Sequence, residues 1–248
     1  MNRGKIYLVG CGLGDVDLLT LKAYRIIREA DVILYDHLIS EAILDLIPPS
    51  REKVYVGKQN GKHSIPQEEI NRLIDAYASR GLSVARLKSG DPYIFGRGTE
   101  EALYLLGLGY SVEVIPGISS SVAASECAGI PPTARGYAAG FSVVSAHLQD
   151  SRFHDEWIGL LKLPNHTTIV LMGLSVVEQI RDAALREGIS PALQAAIVSN
   201  ASRPQQTTRV TTLNDLPIAA REAQSPAIIV FGNVVELYGT LPELYSLT

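Results

Sequence analysis

The stretch Lys5-Ile6-Tyr7-Leu8-Val9-Gly10-Cys11-Gly12-Leu13-Gly14-Asp15 is an apolar extended run that ends in a glycine-rich turn. Lys5 to Val9 has the β-branched and aliphatic character of a buried strand. Leu19, Ala23, Ile26, Ile27 and Ala30 then recur at helical spacing, and a second run, Val32 to Tyr35, ends at Asp36. Strand, glycine turn, helix and strand make a βαβ unit, which predicts a crossover helix packed on a mainly parallel sheet.

Outward from this unit the pattern repeats. Lys53 to Val56, Ser83 to Leu87 and Ser111 to Ile115 read as further strands, with Gln67 to Ala78 and Glu100 to Leu108 as helices. After Pro116-Gly117 come five more strand-like runs: Phe141 to Ala146, Thr167 to Met172, Gln194 to Ser199, Thr207 to Thr212 and Ala227 to Phe231. The Pro-Gly pair punctuates regular structure and puts a boundary near residues 114–118. The expected fold class is therefore α/β, with two α/β domains, 1–115 and 116–248, built on mainly parallel sheets. No Gly/Ser-rich linker separates the halves, so they are expected to pack closely and share a cleft.

Composition bounds the function. The 248 residues are 46% hydrophobic and 19% charged, as in an ordinary folded chain. A formal charge of -4 supplies no broad basic field for a phosphate backbone, which argues against nucleic acid as a partner. No apolar stretch reaches the roughly 18 residues of a membrane span, and no targeting segment is evident at the N-terminus. A cytoplasmic location is expected. Cys11 and Cys127 lie far apart and lack metal or redox spacing, and His37, His147, His154 and His166 show no ligand pattern, so no metal is expected. Trp157 reads as a packing residue.

The Gly10 to Asp36 segment imitates a dinucleotide-binding unit, which keeps a nucleotide-binding oxidoreductase open as a remote reading. Asp15, however, stands where that fingerprint wants glycine. It reads as a cap for a helix beginning near Val16, with its carboxylate on the amides a pyrophosphate would use. A ligand without phosphate suits the loop better, and a plain tight turn is the alternative. In Arg86-Leu87-Lys88-Ser89-Gly90-Asp91-Pro92-Tyr93-Ile94-Phe95-Gly96-Arg97-Gly98-Thr99-Glu100-Glu101 a strand ends in a turn of Ser, Gly, Asp and Pro. That is a place where α/β proteins put ligand-contacting backbone. Arg97 and Glu100, three apart at a helix start, read first as an exposed ion pair.

These motifs, in this order, resemble the tetrapyrrole methylase family. Gly10 to Asp15 resembles its first glycine loop, and Leu34-Tyr35-Asp36 its second-strand terminus. Val56-Gly57-Lys58, Gly61-Lys62-His63 and Gln67 to Asn71 are similar to a segment of the branch acting on uroporphyrinogen III, and Arg86 to Glu101 to that branch's hallmark. Pro116 to Ser120, Ala128 to Pro131, Met172-Gly173 and Ser225-Pro226-Ala227 match later motifs. The resemblance implies a class III methyltransferase, usually a homodimer, using S-adenosyl-L-methionine and releasing S-adenosyl-L-homocysteine. The reaction implied is C-methylation of uroporphyrinogen III at C2 and C7, giving precorrin-2 for sirohaem or cobalamin. A later precorrin is the alternative substrate.

By the same matching the donor site would comprise Gly12, Leu13, Ser89, Gly90, Asp91, Ile94, Ser119, Ser120, Met172, Ala201 and Ala227. Asp36 would be the proton acceptor, with a helix cap or ribose acceptor as its plainer reading, and Lys58 the proton donor. Arg97 and Glu100 would line the tetrapyrrole side. An octacarboxylate substrate needs local cations, for which Lys58, Arg97 and Arg135 are placed in loops, while Lys62 and His63 read more simply as surface groups. Leu13 replaces a usual proline, Ser89 a glycine, Tyr93 a phenylalanine and Ala201-Ser202 a Gly-Thr pair. Ala134 stands where a histidine is expected before Arg135.

Overall fold

The computed structural model describes residues 3–57, 65–148 and 152–244. The chain divides into two units, Met1–Ser119 and Ser120–Thr248, and each is described by itself.

The first unit runs β1 (Ile6–Gly10), α1 (Leu21–Glu29), β2 (Val32–Tyr35), α2 (Glu41–Leu44), β3 (Glu52–Tyr55), α3 (Gln67–Ala78), β4 (Val84–Lys88), α4 (Gly98–Gly107) and β5 (Val112–Ile115). Its sheet has the order β3-β2-β4-β1-β5, and every pairing is parallel. Parallel neighbours need crossovers, which put helices on both faces. Strand alternation sorts the side chains accordingly. Val9, Ile33, Ala85, Leu87 and Ile115 pack with Ala23, Ile26 and Ile27 of α1 and with Ile43 of α2. On the opposite face Ile6, Val32, Leu34 and Val84 pack with Ile70, Ile74 and Ala78 of α3 and Leu105 of α4. Each fully buried aliphatic side chain here contributes about 1.5–3 kcal/mol.

Asp15 does cap a helix that begins at Val16, but it is a three-residue 3-10 helix, Val16–Leu18, and not the crossover helix. The crossover helix α1 starts at Leu21. Thr20 caps it, its Oγ1 accepting from the Ala23 amide at 3.1 Å.

The second unit runs α5 (Ser120–Cys127), β6 (Gly140–Ser145), β7 (His166–Leu171), α6 (Val177–Arg186), β8 (Gln194–Ser199), β9 (Thr207–Thr212), α7 (Leu216–Ala220) and β10 (Ala227–Phe231). The order is β6-β7-β10-β8-β9. Only β6–β7 is parallel; β7–β10, β10–β8 and β8–β9 are antiparallel. The mainly parallel arrangement expected for both halves therefore holds in the first sheet and gives way in the second. The link from β8 to β9 is too short for a crossover, so those strands close as a hairpin. Trp157, Ile180, Ala184, Ile197, Leu213, Leu216, Ile229 and Phe231 form the core of this unit.

Candidate active site

In the first unit the connection after β1 leads towards β2 and the connection after β4 towards β5, although β1 and β4 are neighbours. Such a reversal at the carboxyl ends of parallel strands is where open α/β sheets bind ligands. The loops here meet backbone to backbone. The Gly12 amide donates to the Gly90 carbonyl at 3.2 Å and the Gly90 amide to the Gly12 carbonyl at 2.7 Å. The loop after β5 joins them: a Cβ on Gly10 would lie 2.4 Å from the Gly117 nitrogen, and one on Gly117 would lie 2.2 Å from the Gly90 oxygen. Neither contact is sterically allowed, so three strand ends converge only because these positions lack side chains. The same packing keeps residues 116–119 with the first unit.

Asp91 pins this cluster. Its Oδ1 accepts from the Tyr93 amide at 2.8 Å and its Oδ2 from the Gly117 amide at 3.1 Å. Asp15 accepts from the Asp17 amide at 2.9 Å, so a carboxylate faces the short 3-10 turn where a dinucleotide site would offer free amides to a pyrophosphate. With α1 starting only at Leu21, no α-helix N-terminus follows the glycine loop directly. The loops present backbone, with the Asp15 carboxylate on the amides that a diphosphate would need. Leu13 is buried and Ile94 exposed, while Ser89 sits between β4 and Gly90. Cys11, fully buried beside the loop, has its thiol pushed up to about 12 by burial and is no nucleophile.

Below the loops lies a group of charges of which the sequence motifs assign a role to Asp36 alone. Arg86 and Lys88 are two apart on β4, so both project to the face covered by α3 and α4. Glu101 of α4, fully buried, receives Lys88 Nζ at 2.8 Å, Gln67 Nε2 at 2.9 Å and Arg86 Nε at 3.5 Å. Gln67 Nε2 also donates to Asn71 at 3.2 Å. Arg86 reaches the other way, donating through Nη2 to Asp36 Oδ2 at 2.8 Å. Asp36 Oδ1 accepts from the Leu38 amide at 3.0 Å, so the turn-capping role and an ion pair both belong to this residue. Desolvation lowers the pKa of Lys88, and the Glu101 carboxylate opposes that shift.

Arg97 and Glu100 do form an exposed pair, with Nε and Nη2 donating bidentately at 2.9 and 2.7 Å. The pairing holds the Glu100 carboxyl below its ordinary range and raises Arg97. Phe95 and Arg97 both adopt left-handed backbone, at φ 51° and 58°. That costs roughly 1–2 kcal/mol for each side-chain-bearing residue, and such strain collects at functional sites. Beside them Tyr93, Ile94 and Phe95 expose an apolar surface. Lys58, Lys62 and His63 lie outside the described residues.

In the second unit Met172 follows β7, half-exposed and left-handed at φ 60°. Ala201 is buried after β8, between Asn200 at φ 51° and Ser202 at φ 63°. Ala227 opens β10 opposite Ser199, and Ser120 opens α5, whereas Ser119 belongs to the first unit. Ala134 begins a tight turn, its amide paired with the Ala138 carbonyl at 3.1 Å, and Arg135 is exposed on it. His154 binds the Ser145 carbonyl and His166 the Ser142 hydroxyl. Among the described residues no group of three His, Cys, Asp or Glu is placed to hold a metal, and no helix is long and apolar enough to cross a membrane.

A doubly wound parallel unit with backbone loops at its switch point, succeeded along the chain by a mixed α/β unit, defines a class of ligand-binding α/β proteins. Residues 5–217 match the profile of the Tetrapyrrole (Corrin/Porphyrin) Methylases, and the chain belongs to that family. Among solved structures, uroporphyrin-III C-methyltransferase from Thermus thermophilus, complexed with S-adenosylhomocysteine, is 41% identical. The match covers 95% of this chain and 100% of that one with a TM-score of 0.82. A cobalt precorrin-4 methyltransferase is 25% identical, with a TM-score of 0.81 over 93% of this chain and 95% of that one. The sirohaem synthase of Thiobacillus denitrificans is 41% identical over 95% of this chain but 49% of its own length. That of Acinetobacter baylyi is 42% identical over 95% of this chain and 52% of its own length. The chain thus spans about half the length of these curated relatives.

Proposed function

We propose that the protein is an S-adenosyl-L-methionine-dependent methyltransferase that converts uroporphyrinogen III to precorrin-2 by C-methylation at C2 and C7, in sirohaem or cobalamin biosynthesis. The observation that carries this reading is the full-length match to the Thermus thermophilus uroporphyrin-III C-methyltransferase bound to S-adenosylhomocysteine. The backbone-lined loops of the first unit support it, since they suit a donor without phosphate.

When bound, the donor supplies an electrophilic methyl group on a sulfonium. Gly12, Leu13, Ser89, Gly90, Asp91, Ile94, Ser119, Ser120, Met172, Ala201 and Ala227 are assigned to hold it. Orientation supplies most of the acceleration, because an electron-rich pyrrole carbon is already a nucleophile. Asp36 accepts the proton that the alkylated ring sheds, and Lys58 acts as proton donor. Arg97, Glu100 and Arg135 face the substrate, the arginines pairing with its carboxylates. The bidentate Arg97–Glu100 pair leaves Arg97 Nη1 for such a carboxylate. A homodimer in the cytoplasm completes the reading; light scattering tests the dimer, which predicts twice the 26.8 kDa chain mass.

Calorimetric titration with S-adenosylhomocysteine, then transfer of a labelled methyl group from S-adenosylmethionine to uroporphyrinogen III, tests the proposal. Binding and transfer are expected; no heat of binding sinks it. The likeness to a cobalt precorrin-4 methyltransferase and the alanine at 134 favour one second reading, a later precorrin as substrate. Donor binding with transfer only to an already methylated precorrin is the result that selects it.

A further inference from the structure

Lys88, Glu101, Arg86 and Asp36 form a continuous string of alternating charge within the first unit. The side chains of Arg86, Lys88 and Glu101 are 5%, 4% and 0% exposed, and that of Asp36 is 20% exposed. The string therefore starts in the interior and surfaces at the carboxyl end of β2. We propose that Arg86 is a positioning residue for methyl transfer: anchored on Glu101, it fixes the Asp36 carboxylate in the orientation in which it takes the substrate's proton. The inference rests on the function proposed above and adds two residues, Arg86 and Glu101, to its machinery.

Stability alone does not account for the string. Desolvating charges offsets most of what their attraction returns, and well-packed apolar side chains of similar volume serve a core as well or better. The geometry is instead that of a jig. Both Glu101 oxygens are held, Oε2 by Lys88 and Oε1 by Gln67 and Arg86. The guanidinium is held in turn by that carboxylate and by the Leu87 carbonyl, which accepts from Nη1 at 2.8 Å. Only Nη2 is left to point along β2, and it meets Asp36 Oδ2. With Oδ1 taken by the Leu38 amide, each Asp36 oxygen has one fixed donor and keeps further lone-pair capacity. The rotation of the carboxylate is thereby set. A lysine at 86 would carry the charge without the planar fork that spans two carboxylates and a carbonyl.

The test uses the full chain with S-adenosylmethionine and uroporphyrinogen III, and compares Arg86→Lys, Glu101→Gln, Asp36→Asn and the Arg86→Lys/Asp36→Asn pair. Arg86→Lys is expected to lower kcat about tenfold or more, with KM for the tetrapyrrole and Kd for S-adenosylhomocysteine within about twofold of wild type. Glu101→Gln, which keeps an acceptor for Lys88, should show the same split and decides the matter where Arg86→Lys does not fold. In the Asp36→Asn background Arg86→Lys should cause no further loss, because it acts through the carboxylate already removed. Additive losses, an Asp36→Asn protein with wild-type turnover, or a fall in kcat that tracks a fall in donor affinity each overturn the inference while the function stands. A wild-type protein that binds no donor and transfers no methyl group overturns the function and the inference with it.

Discussion

Asp91 and Arg97 are six positions apart in one loop, yet the proposed function gives them separable tasks. Asp91 ties the loop after β4 to the loop after β5 through the Gly117 amide. Asp91→Ala should therefore weaken S-adenosylhomocysteine binding at least about tenfold, because two backbone amides lose a charged acceptor, a loss of order 1–3 kcal/mol. Unchanged donor affinity by calorimetry would move the donor elsewhere. Arg97 is more than half exposed and touches Glu100. Arg97→Ala should abolish most turnover and leave donor affinity within about twofold, as expected of a group that meets only the substrate; wild-type turnover would reduce it to a surface cation. At this scale the sequence is partly legible. The Arg97–Glu100 pair follows from spacing alone, and the Asp15 cap from its place after the glycines. The buried string does not follow, although Arg86 and Lys88 stand two apart in a strand and so share a face. What hides it is that their partners, Glu101 and Gln67, come from two different helices, and only tertiary packing brings these to one side of β4.

Among the elements, the first sheet depends on close approach at its strand ends. Gly117→Ala puts a methyl group against the Gly90 oxygen and the Gly10 backbone. Forcing those loops apart should cost about 1–3 kcal/mol and weaken the donor, read by thermal melting with and without S-adenosylhomocysteine; a wild-type melt would mean that the loops are not packed this way. Asp31, between α1 and β2, binds the Ser83 hydroxyl and amide at 2.6 and 2.9 Å and Arg51 at 3.0 Å. The Ser83 hydrogen bonds first, and Arg51 after them, hold its carboxyl below the ordinary carboxylate range. The stabilisation is therefore present at neutral pH and is lost as pH falls through the lowered pKa. The side chain is 41% exposed, so Asp31→Asn should destabilise by less than about 1 kcal/mol near pH 7. The two proteins should converge in acid, and a difference that persists there would assign the effect to packing. The ten strands among the described residues are legible from β-branched runs between turns, and α1 from its period. The antiparallel pairings of the second sheet are not, because direction depends on where β10 inserts between β7 and β8, and no local pattern encodes that.

For the molecule as a whole, membership of the tetrapyrrole methylase family and a fold shared with enzymes of differing substrates mean that the fold alone cannot choose the substrate. In the function proposed here the choice falls to the Asp36 carboxylate, the Arg97 fork and the exposed Tyr93-Ile94-Phe95 surface, a combination suited to an apolar macrocycle rimmed with carboxylates. The alanine at 134 is the one substitution at a motif position that removes a polar group. The most direct measurement is anaerobic incubation of the protein with S-adenosylmethionine and freshly reduced uroporphyrinogen III, with mass spectrometry of the tetrapyrrole as the readout. A gain of two methyl groups is the predicted result; no gain by a protein that demonstrably binds the donor would contradict it.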